Sequence, residues 1–536
     1  MNRKFLNTLK RPFWLSVILA ATFSCATPPY YFRSNYNDIN RLIHEEKNLQ
    51  TRPFLKAHLK NGGVVILRDT WNVDSTQRFI SGNGTSYDKR RIKVSEGPMD
   101  IPIDSVAIFE TNKKLAYDES GRIAGLSILA GLDVALGVFC LTVPKACFGS
   151  CPTFYINPGD NFHHADAEGF SHAFFPSREY SDLDALPRTK TREKEFRITM
   201  KNEALETHCV NDISLYAWPV KAQEKVCQSG NNDFYLCTNL YPLTEATGEE
   251  GDITNLLRNN DLVERFSLSD KDNLKSKEEI IITFDSLPEI MDPGLVIHFR
   301  QTLMTTYFIY NCMGYMGNYV GDAYAMIESG KMKMRDNKRF YEELGGIDVY
   351  SLDENSGRWI FRGEVYETGP IAVNKQMVPL KIPDSLNRLK LKLVLNKGLW
   401  RLDYLALTEI KEKIDPLVIG PAGVLNKGKE DSAALALIRN PEEYLVSMPG
   451  DEYTFRFQLP DERDYELFLY SKGYYLEWMR NSWLKDEDLL KLRQMTYHPD
   501  KYFRKQAAEY KSYETLMEQI FWNSKIEAET FSYHDN

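Results

Sequence analysis

The sequence predicts a mainly β protein with a minor α component, built from several small domains of β-sandwich or barrel type. Short runs in which apolar and polar residues alternate recur along most of the chain, most clearly over 347–410. Turn sequences rich in Asn and Gly separate neighbouring runs, as at 61–63 and 82–84. The 536 residues, 43% hydrophobic and 26% charged, have the composition of ordinary globular domains.

The N-terminus has the layout of a secretory signal. Four basic residues and no acidic residue precede an apolar run at 13–21. That run is shorter than a membrane-spanning helix needs to be. The four residues that end at Cys25 resemble a lipobox, the motif that directs diacylglycerol onto a cysteine. We therefore expect lipidation of Cys25, and cleavage after Ala26 without lipid is the alternative.

Lipidation of Cys25 would hold the mature chain on a membrane, since each buried methylene of an acyl chain contributes about 0.8 kcal/mol. Palmitate is the acyl group that we expect there. Ala26 follows the cysteine. Some lipoproteins that stay at the inner membrane have Asp at this position, and in this respect the chain resembles lipoproteins of the outer membrane. We therefore expect an outer-membrane lipoprotein of the cell envelope, facing the periplasm or the cell surface.

Changes in hydrophobic period and in turn sequences divide the chain into six segments. They are a signal peptide (1–24), a small N-terminal β domain (25–120), an apolar segment with a CxxxC motif (121–190), a β-rich domain with a helix (191–345), a β-sandwich-like domain (346–412), and a C-terminal β region with a helical tail (413–536). We see no repeat of fixed period among these segments.

Two contrasting stretches fill the first third of the chain. Short β segments separated by glycine turns cover 54–108 and predict a small, strongly bent sheet or barrel. The stretch 123–143 is almost wholly apolar, with Asp133 near its middle. It is long enough to span a bilayer, but a charge at the centre of a span costs about 2.5–3.5 kcal/mol. We therefore expect a buried apolar helix or hairpin, and membrane insertion is the alternative.

The middle of the chain reads as strands and one helix. Residues 195–218 predict two strands around a turn, and 278–284 and 295–299 predict two more. A largely apolar helix rich in Met, Tyr and Gly is expected within 301–329.

Strand patterns continue almost to the C-terminus. Four or more strands are expected in 347–410, at a spacing typical of β-sandwiches. A final β block covers 452–459 and 465–477. The tail after it is predicted to be helical, because four apolar residues recur on one helical face. These residues are Tyr513, Met517, Ile520 and Phe521.

Cys147 and Cys151 form the constellation that could carry chemistry. Two thiols four residues apart can close a tight disulfide or share a metal, and three histidines downstream could add imidazole ligands. These histidines are His163, His164 and His172. Thiolates with imidazole suit Cu(I) or Zn(II). The spacing up to Pro152 also resembles the CxxxCP segment of thioredoxin-fold copper chaperones, although the βαβ pattern of that fold is missing. A structural disulfide and a metal or redox site both stay open.

A second cysteine pair, Cys227 and Cys237, flanks a predicted hairpin. A three-residue loop at 231–233 would put the two cysteines opposite each other, with Cβ atoms about 4.5–5.5 Å apart. That separation is close to disulfide geometry. We therefore predict a disulfide between them in an oxidising compartment.

Charge and motif content exclude several classes of function. The formal net charge is −9, and removal of the signal would make it more negative, which argues against a nucleic-acid partner. The chain has no GxSxG elbow, no HExxH helix and no GxxxxGK[ST] loop, so the sequence predicts no cofactor and favours a role other than catalysis. Its aromatic content of 12% suits both glycan-stacking surfaces and tyrosine-rich β cores.

Three sequence blocks carry a resemblance across the chain. They are KACFGSCPTFY (145–155), AEGF (167–170) and NEALETH (202–208). Together they resemble a group of large bacterial lipoproteins to which no activity is assigned. The resemblance implies an exported protein of several β domains and supplies no site residues.

Taken together, these patterns favour a binding or scaffold protein of the cell envelope. The expected partners are the membrane, through the lipid anchor, and other envelope proteins or glycans. The alternative is a thiol-redox or copper- or zinc-handling protein that uses the CxxxC segment. That alternative needs accessible thiols of lowered pKa, whereas a structural pair would be oxidised and inert.

Overall fold

A computed structural model of the chain confirms the predicted fold class. The described residues form a mainly β protein with five sheets and six α-helices. They are 31–36, 55–67, 71–74, 78–89, 92–114, 151–158, 164–170, 173, 179–189, 193–317, 343–366, 369–382, 387–477 and 486–525. The predicted apolar segment at 123–143 lies outside these residues, as does Cys25. Among the described residues, no helix is long and apolar enough to cross a membrane.

The N-terminal sheet has seven antiparallel strands. They are β1 (Tyr31–Tyr36), β2 (Leu55–Leu59), β3 (Val64–Leu67), β4 (Asn72–Val73), β5 (Phe79–Tyr87), β6 (Lys93–Pro102) and β7 (Val106–Lys114). Their order is β1-β7-β2-β3-β5-β4, and β6 pairs with β5. Leu55, Trp71, Ile80 and Phe109 fill its core. The β segments expected over 54–108 are therefore confirmed.

Two further sheets form what we call the outer sandwich. Its strands are β8 (Thr153–Tyr155), β9 (Ala167–Glu168), β10 (Tyr180–Ala185), β11 (Glu195–Lys201), β12 (Glu206–Pro219), β24 (Leu417–Ile419), β25 (Gly423–Asn426), β26 (Lys429–Glu430), β27 (Leu445–Ser447), β28 (Glu452–Gln458) and β29 (Tyr465–Glu477). One sheet has the order β10-β29-β12-β24 with β27 on β12, and the other the order β26-β25-β28-β11-β8-β9. Ile198, Phe455, Ile213 and Leu469 meet in their shared core.

The last two sheets form what we call the inserted sandwich. Its strands are β13 (Glu224–Gln228), β14 (Phe234–Pro242), β15 (Glu245–Gly248), β16 (Gly251–Asp252), β17 (Lys277–Asp285), β18 (Pro293–Gln301), β19 (Ile347–Asp353), β20 (Arg358–Val365), β21 (Asn374–Pro379), β22 (Arg388–Asn396) and β23 (Trp400–Ile414). The orders are β13-β14-β23-β18-β21 and β16-β15-β17-β22-β19-β20. Ile297, Leu405, Ile282 and Leu391 belong to its core.

The inserted sandwich interrupts the outer sandwich in the chain. β12 pairs with β29 from Glu206 opposite Glu477 to Pro219 opposite Tyr465, although the whole insertion separates the two strands in sequence. Sheet membership thus crosses the sequence-based boundary at 412/413. The six predicted segments stay a prediction about which parts of the chain fold independently.

The helices gather mainly against the inserted sandwich. They are α1 (Thr254–Arg258), α2 (Met304–Met316), α3 (Ser432–Arg439), α4 (Leu489–Tyr497), α5 (Pro499–Tyr513) and α6 (Met517–Asn523). Phe308 of α2, Met495 of α4 and Phe503 of α5 enter the core of that sandwich. The helix expected within 301–329 is confirmed as α2, and the helical tail as α4 to α6. The single apolar face predicted for the tail is wrong, because α5 ends at Tyr513, α6 begins at Met517, and both Tyr513 and Ile520 are exposed.

Helix α6 and the residues just after it bridge the two sandwiches through largely buried ion pairs. Arg300 of the inserted sandwich donates a hydrogen bond to Glu518 of α6 at 2.8 Å. Lys525, two residues past α6, donates to Glu203 at 2.6 Å and to the Tyr155 hydroxyl at 2.9 Å, both in the outer sandwich. The Lys525 side chain is only 8% exposed. The bridge therefore fixes the position of each sandwich relative to the other.

Lys525→Met tests this bridge. We expect it to lower the free energy of unfolding by about 3 kcal/mol, because Glu203 then stays buried without its cation. Chemical unfolding measures the loss, and hydrogen exchange should show faster opening of α6. Lys411 makes an exposed ion pair with Glu409 at 2.6 Å, so Lys411→Met is the control and should cost under about 1 kcal/mol. Equal losses in the two variants would contradict the bridge.

His298 on β18 gives the fold a pH dependence. Its buried ring meets the edge of the Tyr404 ring at 5.2 Å between centroids. Burial, assisted by the charge of Lys375, lowers the pKa of His298 to about 3. An unfolded histidine has a pKa of about 6.5, so between these values the unfolded chain binds a proton that the folded chain does not. The contribution of His298 to the free energy of unfolding is therefore largest above pH 6.5, and it decreases as the pH falls through this window.

His298→Phe keeps an aromatic ring against Tyr404 and removes the titration. We expect the free energy of unfolding of the wild type to fall between pH 6 and pH 4 more steeply than that of the variant, by up to about 1.4 kcal/mol per pH unit. Unfolding curves at several pH values measure both slopes. Parallel slopes would show that His298 is not neutral in the folded chain.

Candidate functional site

A polar cleft of about 260 Å³ lies where the two sandwiches meet. Strand β10 of the outer sandwich forms one wall. The turn after β13, the end of β20 and strand β21 form the others, all from the inserted sandwich. The polar and aromatic residues that line it are Tyr180, Ser181, Asp182, Gln228, Asn231, Asn232, Glu364, Tyr366, Asn374 and Gln376.

The cleft exists because two sheet edges meet through side chains instead of a backbone ladder. β10 is an edge strand of one sheet, and β21 is an edge strand of another. Asn374 donates from Nδ2 to Asp184 at 3.3 Å, and the Ala185 amide donates to Asn374 Oδ1 at 3.3 Å. These hydrogen bonds join the two edges, and the space beside them is lined by polar side chains.

The turn between β13 and β14 shapes the mouth of the cleft. β13 and β21 are the two edges of one sheet and contact each other, so this sheet curls towards closure. The Ser229 amide donates to the Asp233 carbonyl at 2.9 Å, which closes a five-residue loop. Asn232 has a φ of +59°, a conformation that Asn adopts more readily than most residues. The loop thereby presents Asn231 and Asn232 to the cleft.

Gln228 carries a buried hydrogen-bond acceptor that has no partner among the described residues. The residue is 2% exposed, and its Nε2 donates to Asn232 Oδ1 at 2.6 Å. The acceptor without a partner is its Oε1. A buried acceptor left without a partner costs about 1–3 kcal/mol. A ligand hydroxyl donating to Gln228 Oε1 would recover that cost.

Aromatic rings complete the cleft. The Tyr366 side chain is exposed at the rim, and Tyr180 is half-buried in the wall. A tyrosine ring combines an apolar face with a polar hydroxyl. An amide side chain supplies donors and an acceptor within one plane. The cleft can therefore bind a ligand that carries hydroxyl groups along one edge and an apolar face.

The residues of the CxxxC prediction do not line this cleft. Cys151 is buried beside Ala165 and Phe521 and is disulfide-bonded. Burial, with the charge of Arg300 as the next contribution, lowers the pKa of His164 to about 4. No three His, Cys, Asp or Glu side chains in the described part of the chain are grouped to hold a metal. The other residues of the predicted site lie outside that part, and the site stays a prediction. They are Cys147, His163 and His172.

The second cysteine pair differs from the expected register. Cys227 lies opposite Tyr235, and Cys237 lies opposite Lys225. The predicted opposite placement is wrong, because the loop takes five residues, 229–233, and not three. Cys227 and Cys237 are free thiols and diagonal neighbours on paired strands. The disulfide between them stays a prediction.

Sequence reasoning did not find the cleft residues. They come from three distant parts of the chain, 180–183, 228–232 and 364–376, and none of these parts carries a motif. The only local signal is the run of Asn231, Asn232 and Asp233, which is typical of a turn.

Comparisons with known proteins supply no family. No protein-family model and no curated protein matches the chain. An allantoicase structure is 9% identical, covers 54% of this chain and 98% of its own, and has a TM-score of 0.18. A fucolectin from striped bass (Morone saxatilis) serum is 8% identical, with coverages of 50% and 98% and a TM-score of 0.16. TmCBM61 in complex with β-1,4-galactotriose is 9% identical, with coverages of 36% and 86% and a TM-score of 0.14. TM-scores this low carry no argument.

Proposed function

We propose that the chain is a lipid-anchored protein of the cell envelope that binds a glycan in the cleft between its two sandwiches. The observation that carries the proposal is the pairing, in one cleft, of the buried, unpartnered acceptor Gln228 Oε1 with the exposed ring of Tyr366. Sugars present donating hydroxyls beside apolar C–H faces. Amide and tyrosine side chains match both parts.

The size of the cleft indicates how a glycan would bind. A volume of about 260 Å³ lies below the range of about 300–1,000 Å³ that encloses whole drug-sized ligands. The cleft therefore suits one end or one unit of a longer chain, with the remainder in solvent. That mode is suited to a protein that holds a polysaccharide or a glycosylated partner without cleaving it.

The anchor and the location rest on the N-terminal sequence. The basic stretch, the apolar run and Cys25 support export and lipidation. Ala26 supports the outer membrane as the final address. The rival function, thiol-redox or metal handling at the CxxxC segment, is less well supported, because the disulfide at Cys151 occupies the thiol that it would need.

Tyr366→Ala tests glycan binding in the cleft. We expect the mature chain to bind members of an array of neutral glycans and the variant to bind them at least about tenfold more weakly, a loss of about 1.4 kcal/mol. Tyr497 on α4 is 38% exposed against 37% for Tyr366, so Tyr497→Ala is a matched control and should bind as the wild type does. Gln228→Leu, which removes the acceptor at similar volume, should weaken binding several-fold.

Either of two results would refute the cleft as a glycan site. One is that no glycan on the array binds the wild type. The other is that Tyr366→Ala and Tyr497→Ala bind with the affinity of the wild type, which would place any glycan site elsewhere.

Cys25→Ala tests the anchor. We expect the wild type to incorporate labelled palmitate and to sediment with outer membranes, because the acyl chains hold it there. The variant should incorporate none and should lose membrane association. A wild-type protein that is unlabelled and begins at Thr27 would instead support plain cleavage after Ala26.

A further inference from the structure

Three sulfur atoms lie together inside the curled sheet of the inserted sandwich. Cys237 Sγ donates a hydrogen bond to Met377 Sδ at 3.8 Å, and Cys227 packs in the same buried cluster. All three residues are at most 1% exposed. They belong to three strands, β13, β14 and β21, so only the fold brings them together. We call these three residues the sulfur triad.

The surroundings of the sulfur triad are apolar and shaped around it. Val296 and Ile410 pack against the three residues. Gly294 on β18 leaves room for the thioether, since a Cβ there would lie 2.5 Å from Met377 Sδ. The Met377 side chain can therefore lie across β18 and direct its sulfur at the thiols.

A positive charge stands beside the sulfur triad. Lys375 on β21 lies close enough to the thiols of Cys227 and Cys237 to act on both electrostatically. Lys375 Nζ donates to Glu466 at 2.6 Å, and Lys225 Nζ lies 3.3 Å from the same carboxylate. Two ammonium groups thus share one carboxylate, and one positive charge remains to balance an anionic group nearby.

We propose that the sulfur triad is a binding site for Cu(I), independent of the proposed glycan cleft. Thiolate and thioether are soft ligands, and they select Cu(I) over harder metal ions. Zn(II) sites use four ligands drawn from Cys, His and carboxylates, and among the described residues no His, Asp or Glu joins the two cysteines in such a group. Metal–sulfur bonds of about 2.3 Å in a trigonal plane would hold the sulfurs about 4 Å apart. The 3.8 Å between Cys237 and Met377 is close to that value.

Copper binding at the sulfur triad is balanced in charge and in protons. Cys227 and Cys237 each release one proton when they become thiolate ligands. Cu(I) with two thiolates and a neutral thioether carries one negative charge, which matches the positive charge left by Lys375 and Lys225. No electron is transferred, because copper enters and stays as Cu(I). Oxidation of the two thiols to a disulfide would remove both thiolate ligands, so the site requires the reduced chain.

The test is a Cu(I) titration of the reduced mature chain without oxygen, against bicinchoninate, a chelator that competes for Cu(I). We expect the chain to remove one equivalent of Cu(I) from the chelator at the sulfur triad. X-ray absorption at the copper edge should show sulfur as the only near neighbour. Absence of Cu(I) uptake, nitrogen or oxygen neighbours, tighter binding of Zn(II), or a Cys227–Cys237 disulfide that reductant does not open would each overturn the proposal.

Variants locate the copper within the chain. Met377→Leu conserves side-chain volume and should weaken Cu(I) binding at least tenfold, with the thermal unfolding curve showing that the fold is kept. Cys227→Ser should abolish binding at this site. Cys312 is another buried free thiol, on α2, so Cys312→Ser is the control and should bind as the wild type does. If Met377→Leu and Cys227→Ser both keep the wild-type affinity, copper binds elsewhere and the proposal is wrong.

Discussion

The antiparallel pairing of β12 with β29 is the constraint on which the rest of the structure depends. Because β24 also pairs with β12, with Ile419 opposite Leu215, the chain leaves and re-enters the outer sandwich at the same end of one strand. The whole insertion is held by both of its ends at that place. The inserted sandwich therefore has to lie beside the outer sandwich, and it meets strand β10, which pairs with the other side of β29.

This arrangement explains why the junction is a cleft and not a continuous sheet. The edges of β10 and β21 meet through Asn374 and Asp184, so their remaining backbone is not paired across the junction. On another part of the junction, Arg300 of the inserted sandwich donates to Glu518 of α6. Lys525, just after α6, donates to Glu203 of the outer sandwich. These ion pairs do not line the cleft.

Local patterns predicted the elements well and the assembly poorly. Alternation of apolar and polar residues marked β11 and β12 correctly, because period two is a property of each strand alone. Which strands pair across an insertion is not written in any local pattern, so the junction and its cleft were missed. The same limit applies to sulfur chemistry. Spacing drew attention to Cys147 and Cys151, whereas Met377 joins Cys227 and Cys237 only through the curl of a sheet.

The central claim is that one ligand contacts segments far apart in the chain. Hydrogen–deuterium exchange of the mature chain, with and without the tightest-binding oligosaccharide of a neutral glycan panel, tests it most directly. We expect slower amide hydrogen exchange at 180–185, 228–232 and 374–376 together, at one ligand concentration, with no change across α4 and α5. Protection of one of these segments alone, or protection centred on the helices, would contradict a site built where the two sandwiches meet.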